Sequence, residues 1–418
     1  MMNRPTVHVV GAGFSGLSAA LRLAATPNAD IVVHESAAQA GGRRRSFFDD
    51  ATAMTVDSGH DLVLSSWRSA VAMIEAIGAR AQWREVAPGG IAFADMASGE
   101  RWTLRPGGGP LPLWIFDARR RAPLTRAKDY WPAARLARAP ASALLGDYAP
   151  SGGAAAERLW RPFALAALNT DPERASARLA GAALREARFG RAQPLAPVHG
   201  LARGFIEPAL KALRRRGVAV RFERRLAALD LVAGEVAGLE FAHDRIDLSP
   251  GDAVILATPP RVATALAPGL SAPQQFNAAI SAHFAVSPPP RAPPILAVVN
   301  GAFHWMFCAD GRISVAIRDA GAAMETPREK LAADLWRDVA ALTGLSDAIP
   351  AWRIIRNKRA TFAATPREDA LRPPSETPWR NLFLAGAYVQ NGLPDMLEGA
   401  VRSGAVAAER ARKWLEAR

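Results

Sequence analysis

Three glycines, Gly11, Gly13 and Gly16, and one acid, Glu35, are the residues whose types and spacing make the clearest chemical statement. The run Gly-Ala-Gly-Phe-Ser-Gly follows the β-branched residues Val7, Val9 and Val10 and opens an apolar-periodic segment through Leu17, Leu21 and Ala24. In a strand–turn–helix unit the first glycine permits the tight turn. The second lets backbone approach a pyrophosphate, and the third lets the helix pack close on the strand. Phe14 and Ser15 fall in the first helical turn, where unpaired N–H groups and the helix dipole face the anion. A second strand, Ile31 to Val33, leads to Glu35, 19 residues beyond Gly16, where a carboxylate takes ribose hydroxyls. An acid rather than a base at that point favours a free ribose, hence FAD or NAD over NADP.

Positioning such a site takes a sizeable scaffold. The chain has 418 residues, half of them apolar, which points to a folded protein of two domains. Its single cysteine, Cys308, excludes an intramolecular disulfide, a cysteine-rich metal site and a dithiol centre, and it reads as a buried filler in a reducing compartment. No metal site is expected. The opening strand begins too early for a secretory signal. The longest uncharged stretch, residues 292–309, is broken by Pro293, Pro294, Asn300 and Gly301; it reads as a hairpin of Ile295–Val299 and Phe303–Phe307, not a membrane span. The net charge of +13 comes mostly from arginines spread along the chain. No nucleic-acid recognition motif accompanies them, so no nucleic-acid partner is expected; an anionic membrane surface is the better candidate partner, and a plain solvated basic surface is the equal alternative. The expected location is cytoplasmic, peripheral on the inner face of the membrane.

Further elements follow in order. A helix is predicted from Trp67 to Ile77, stopped by Gly78, and residues 88–151, rich in Pro, Gly, Trp and Arg, resist assignment. A helical segment around 158–168 ends in a turn at Asn169. After His199-Gly200, an amphipathic helix (201–214) stops at Gly217, and strands follow at 218–222 and 253–257. Strands at 295–299, 303–307 and 313–317 and a helix near 328–343 precede the final strand Leu382–Leu384 and a closing helix from Met396. Dinucleotide-type elements thus occur at the start, middle and end. The predicted class is α/β: a Rossmann-type nucleotide-binding domain, discontinuous in sequence (1–62, 199–262 and 377–418), with an inserted mixed α+β substrate domain (63–198 and 263–376).

Gly41-Gly42-Arg43 after the second strand, and Gly392-Leu393-Pro394 through Glu398-Gly399-Ala400-Val401-Arg402-Ser403-Gly404 near the end, resemble the FAD-dependent amine oxidase and carotenoid desaturase superfamily. Within it the chain is most similar, over nearly its whole length, to the hydroxysqualene dehydroxylases of bacterial hopanoid synthesis, squalene-associated FAD enzymes. Val56-Asp57-Ser58-Gly59 and Leu165-Ala166-Ala167-Leu168-Asn169-Thr170 share in that likeness. The resemblance implies that the discontinuous Rossmann-type domain is an FAD-binding domain, that Gly42 and Arg43 add diphosphate contacts and that the Leu226 backbone faces the adenine. It further implies that Gly386, Ala387 and Met396 lie at the flavin, with the closing helix aimed at its pyrimidine edge. The implied reaction converts an allylic alcohol and reduced FAD to squalene, water and oxidised FAD. It needs a general acid, hydride from flavin N5, and a dry apolar cavity for a long isoprenoid. Aromatic residues of the insertions, among them Trp102, Trp114, Phe116, Trp131, Trp160 and Phe303, are candidates to line it.

Three departures from the family pattern stand out. Ala387 replaces an aspartate, which removes a charge-assisted bond to the cofactor on the order of 1.5–3 kcal/mol. Asp395 brings a carboxylate to the start of the closing helix, where it either complements the helix dipole or, beside anionic reduced flavin, opposes reduction and lowers the potential. His60-Asp61 stands where relatives have an amide followed by histidine; His60, and next Tyr388, are the candidate proton donors. The competing readings are a carotenoid or isoprenoid desaturase running the flavin oxidatively, another flavoenzyme of the superfamily, and a diverged non-catalytic isoprenoid-binding paralogue. Amine oxidation is disfavoured by the scarcity of lysine, at positions 128, 211, 330, 358 and 413 alone. The sequence names no electron donor for the flavin.

Overall fold

The buried alternation of the first strand explains how the central sheet is layered. Five parallel strands lie in the order Ala219–Arg221, Asp30–His34, Thr6–Val10, Ala253–Leu256 and Leu382–Leu384 in the computed structural model, which describes residues 4–26, 29–59, 62–107, 111–188, 191–309 and 311–417. Side chains alternate across a strand, so Val7, Val9, Ile255 and Phe383 join one core while Val10, Val254, Leu256, Leu382 and Leu384 join another. The first core is closed by the helices Phe14–Leu23, Glu207–Arg215 and Leu397–Glu416. The second is closed by an antiparallel meander, Leu226–Val232, Glu235–Phe241 and Arg245–Asp247. Burial of both faces accounts for the near-continuous apolar run of these strands.

A second sheet has seven strands, ordered Trp352–Phe362, Phe276–Phe284, Arg312–Arg318, Trp305–Ala309, Ile295–Val299, Ile91–Asp95 and Arg101–Leu104. It is antiparallel except where Ile295–Val299 runs parallel to Ile91–Asp95. Helix Arg328–Thr343 buries Leu331, Leu335, Trp336 and Val339 in the core beside it. The Asn-Gly hairpin forms, with Asn300 at positive φ, but its second strand is Trp305–Ala309, two residues later than predicted, and Phe303 is wholly buried ahead of it. Cys308 is buried, and burial pushes its thiol up to about 11.

Two predicted helices contain π-helical turns, Ala156–Trp160 and Ala202–Ile206. Each precedes a proline, Pro162 or Pro208, which offers no N–H to the carbonyl four residues back. At Gly204 that carbonyl is taken instead by Trp83 Nε1 at 2.8 Å. Among the described residues no helix is long and apolar enough to cross a membrane.

Candidate active site

The glycine loop, the Gly41-Gly42-Arg43 segment and the closing motif converge at the carboxyl ends of the parallel strands, the position at which open α/β sheets bind ligands. Gly11 N–H donates to the His34 carbonyl (2.7 Å) and Gly41 N–H to that of Ala12 (2.9 Å), so the two loops are tied to each other. A Cβ on Gly42 would sit 3.3 Å from Gly13 Cα, so side chains at these positions would fill the groove between them. Gly13 caps helix Phe14–Leu23 with no side-chain acceptor, leaving the first-turn N–H groups to an anion. Behind the loop, a Cβ on Gly16 would overlap the Gly11 carbonyl oxygen, which enforces glycine there.

Glu35 is buried and braces this turn. Its Oε2 accepts from Ala12 N–H at 2.7 Å, and its Oε1 from Ala37 N–H at 2.9 Å and Ser36 Oγ at 3.2 Å. A carboxylate has about four lone-pair sites, so capacity for a ribose hydroxyl remains. Its carbonyl accepts from Arg224 N–H at 2.8 Å, which brings the start of strand Leu226–Val232, with Leu226 buried, beside the same acid.

Asp395 does not stand as a lone charge. Arg43 Nη1 donates to Asp395 Oδ2 (2.9 Å) and Nη2 to Oδ1 (3.1 Å), while Nη1 also reaches the Ala360 carbonyl (2.6 Å). Burial alone favours the neutral acid, but the Arg43 charge and hydrogen bonds outweigh it and hold the carboxyl below its usual range. The Arg43 charge thus offsets part of the negative charge that Asp395 was expected to bring against flavin reduction. Ser58 supports the Arg43 segment from beneath, donating from Oγ to the Arg43 carbonyl at 2.9 Å and accepting from Arg45 N–H at 2.9 Å. Asp57 accepts from Leu201 N–H at 3.3 Å, and its carbonyl lies 3.0 Å from His283 Nε2, a strand residue of the seven-stranded sheet.

The closing motif is mostly a set of fastenings. Glu398, fully buried, accepts from Ser69 (3.2 Å) and Ala70 (2.8 Å) N–H and so caps helix Arg68–Ala76. Arg402 pairs with Glu398 (3.0 Å) and Glu186 (2.8 Å). Ser403 Oγ accepts from Gly386 N–H at 3.0 Å. A Cβ on Gly404 would overlap the Ser15 carbonyl oxygen, so the first and last helices touch backbone to backbone. Met396, the N-cap of the last helix, supplies no side-chain acceptor, and its first-turn N–H groups keep their dipole for a ligand.

Two residues around Ala387 carry more than the sequence indicated. Tyr388 is buried, its ring folded over Gly386, and its buried hydroxyl has no hydrogen-bond partner among the described residues. Burial raises its pKa, so it holds its proton at neutral pH. Arg372, almost wholly buried, donates to the carbonyls of Ala387 (3.0 Å), Tyr388 (3.1 Å), Val389 (2.7 Å) and Leu393 (2.7 Å), and pairs with Asp369. It shapes the whole loop between Gly386 and the last helix. No local signal marks Arg372, because arginine is among the residues seldom buried. His60 and Asp61 lie outside the described residues. The candidate lining aromatics do not share one wall: Trp160, Phe303, Trp114 and Trp102 belong to four separate clusters, and Phe116 and Trp131 are exposed.

This fold and cradle define a dinucleotide-dependent oxidoreductase with its site at the sheet's carboxyl edge. The chain belongs to the flavin containing amine oxidoreductase family, whose profile matches residues 14–412. It is 44% identical over 408 residues to a hydroxysqualene dehydroxylase of Rhodopseudomonas palustris, covering 97% of each chain. It is 38% identical to the hydroxysqualene dehydroxylase of Zymomonas mobilis, covering 96% of this chain and 98% of that one. Among solved structures, cyclohexylamine oxidase from Brevibacterium oxydans superposes with a TM-score of 0.71 at 16% identity, over 99% of this chain and all of the other. An oxidoreductase from Methanosarcina mazei does so with 0.72 at 14% identity, over 97% of this chain and 100% of that one. The protein is therefore an FAD-dependent enzyme. The backbone groove between Gly13 and Gly42 and the two uncapped helix starts fit an anionic dinucleotide.

Proposed function

We propose that this flavoenzyme reductively dehydroxylates hydroxysqualene, releasing squalene and water. The observation that carries the reading is identity of 44% from end to end with a relative named for that reaction. When bound, FAD supplies the two electrons as hydride. The residues of the chain supply the rest. Gly13, Gly42 and the first turn of helix Phe14–Leu23 hold the diphosphate, Glu35 the ribose, and the start of helix Leu397–Glu416 faces the flavin ring. Hydroxide is a poor leaving group and must depart as water, so an acid has to protonate it. Tyr388 offers an O–H with no hydrogen-bond partner among the described residues, but burial raises its pKa and so weakens it as an acid; His60 is the other donor in this reading. Such a reaction needs a dry apolar cavity, so that bulk water does not compete with hydride for the allylic carbon. The substrate class is a long-chain isoprenoid alcohol, and a cytoplasmic protein drawing it from the inner membrane face is the setting that suits such a substrate.

Anaerobic incubation of the reduced protein with hydroxysqualene tests the reading. Squalene should accumulate as the oxidised flavin spectrum returns. Unchanged alcohol beside bound, reduced flavin would refute it.

A further inference from the structure

The stretch that resisted assignment contains the most unusual surface of the molecule. Ten large apolar side chains are exposed among the described residues, and five of them, Leu111, Leu113, Phe116, Leu124 and Trp131, fall within 21 residues. This segment is a series of short 3-10 turns, Leu113–Phe116, Ala118–Arg120 and Ala127–Tyr130, and the first packs against the other two. Trp114, Ile115 and Tyr130 point inward as a small core, with the Trp114 and Tyr130 rings edge to face at 5.2 Å. Tyr130 Oη accepts from Ala122 N–H at 3.0 Å, and Trp160 Nε1 donates to the Asp129 carbonyl at 2.9 Å. The inward residues are pinned, so their outward neighbours Leu113, Phe116 and Trp131 are held out in water on a fixed base. Soluble surfaces rarely hold clustered large apolar groups without a use for them.

The charge around these tips identifies what they meet. Residues 117–138 contain seven basic side chains and two acidic ones, a net +5 of the chain's +13. Of these, Arg119, Arg126, Lys128, Arg135 and Arg138 are exposed, and both acids are engaged locally: Asp117 with Arg119, Asp129 with the Arg126 N–H. Apolar and aromatic tips ringed by basic groups complement a bilayer with anionic headgroups, the tips entering the acyl boundary and the guanidinium groups staying among the phosphates. A protein partner would have to match this positive field with a carboxylate-rich face, whereas an anionic membrane presents it everywhere.

We infer that residues 111–131 form the element by which this protein docks on an anionic phospholipid bilayer, Leu113, Phe116, Leu124 and Trp131 entering the interface. The inference rests on the reading that the substrate is a membrane-dissolved isoprenoid, and it names the surface that meets that membrane. Docking is shallow, since short turns and not a long amphipathic helix carry the tips.

Flotation with vesicles of phosphatidylcholine alone, or of phosphatidylcholine with phosphatidylglycerol, tests it on the flavin-loaded protein. Wild type should prefer the phosphatidylglycerol vesicles by at least about tenfold, a preference that salt weakens. Leu113→Ser, Phe116→Ser and Trp131→Ser together should reduce that binding by about tenfold or more. Arg119→Ser, Arg126→Ser and Lys128→Ser together should erase the lipid preference, and Val232→Ser with Ile349→Ser, exposed elsewhere, should change nothing. The flavin absorbance and far-UV circular dichroism of each variant establish its fold. Absence of vesicle binding by wild type, or variants that bind as wild type does, would overturn the inference. So would a serine variant that turns a dimer into a monomer in sedimentation while vesicle binding stays unchanged. Vesicle binding is read without turnover, so failure of the dehydroxylation assay leaves this result standing on its own.

Discussion

Arg43 grips Asp395 through two parallel hydrogen bonds, 2.9 and 3.1 Å long, and so joins segments 352 residues apart in sequence. Asp395 is buried while Arg43 is one-third exposed, which makes the two ends of the pair energetically unequal. Arg43→Gln strands a buried carboxylate and should cost about 3–5 kcal/mol of stability. Asp395→Asn leaves an arginine that still reaches Ala360 and water, and should cost about 1–2 kcal/mol. The double variant should lose less than the two costs together, as read by urea unfolding; strict additivity would mean that the pair is not coupled.

Arg372 gathers the 387–393 loop by its carbonyls, a task for a planar fork with five donors. Lysine has three donors on a single nitrogen and cannot span them. Arg372→Lys should therefore lower stability by about 2–4 kcal/mol and weaken FAD retention, measured by thermal unfolding and by flavin released on gel filtration. A variant as stable as wild type would reduce the arginine to a bystander.

The contact between the first and last helices leaves no room for a methyl group. Gly404→Ala places Cβ on the Ser15 carbonyl, where only backbone displacement relieves the overlap, and soluble yield should collapse. Gly89→Ala, with nothing within 4 Å of the added carbon, should behave as wild type in the same expression and melting assays.

Four buried histidines should make the fold acid-sensitive. Burial lowers His8, His283 and His304 to about 4 and His34 to about 3, the last also through His8 and nearby arginines. The unfolded chain therefore binds more protons than the folded one between roughly pH 6.5 and 4, so their contribution is intact above that window and lost as pH falls through it. A histidine displaced this far costs about 3 kcal/mol once the pH lies below its folded value. Denaturation midpoints should drop from pH ~7 to ~5 with net proton uptake on unfolding; midpoints flat over that range would contradict the burial of these rings.

Much of this fold was legible because its nucleotide unit is local. The Gly11–Gly16 turn, the helix Phe14–Leu23 and the strand before Glu35 are set by neighbours in sequence, and the periodicity of Arg328–Thr343 marks that helix to its ends. The π-helical turns carry no periodic signal of their own, since they arise from Pro162 and Pro208 acting backward on carbonyls in otherwise ordinary helical patterns. Arg372 and the pairing of Asp395 were illegible for another reason: a charged residue reveals its burial only through partners, and those partners lie far along the chain. Residues 111–131 defeated periodicity because their turns are short and their apolar groups split between an inward base and outward tips.

Hydride delivery by the protein-bound flavin is tested most directly by anaerobic turnover in deuterated water, where flavin N5–H exchanges with solvent before it reacts. Protein reduced under these conditions and mixed with hydroxysqualene should yield squalene carrying one deuterium for each flavin reoxidised. Recovery of the alcohol unchanged, or squalene lacking the label while the flavin stays reduced, would contradict it.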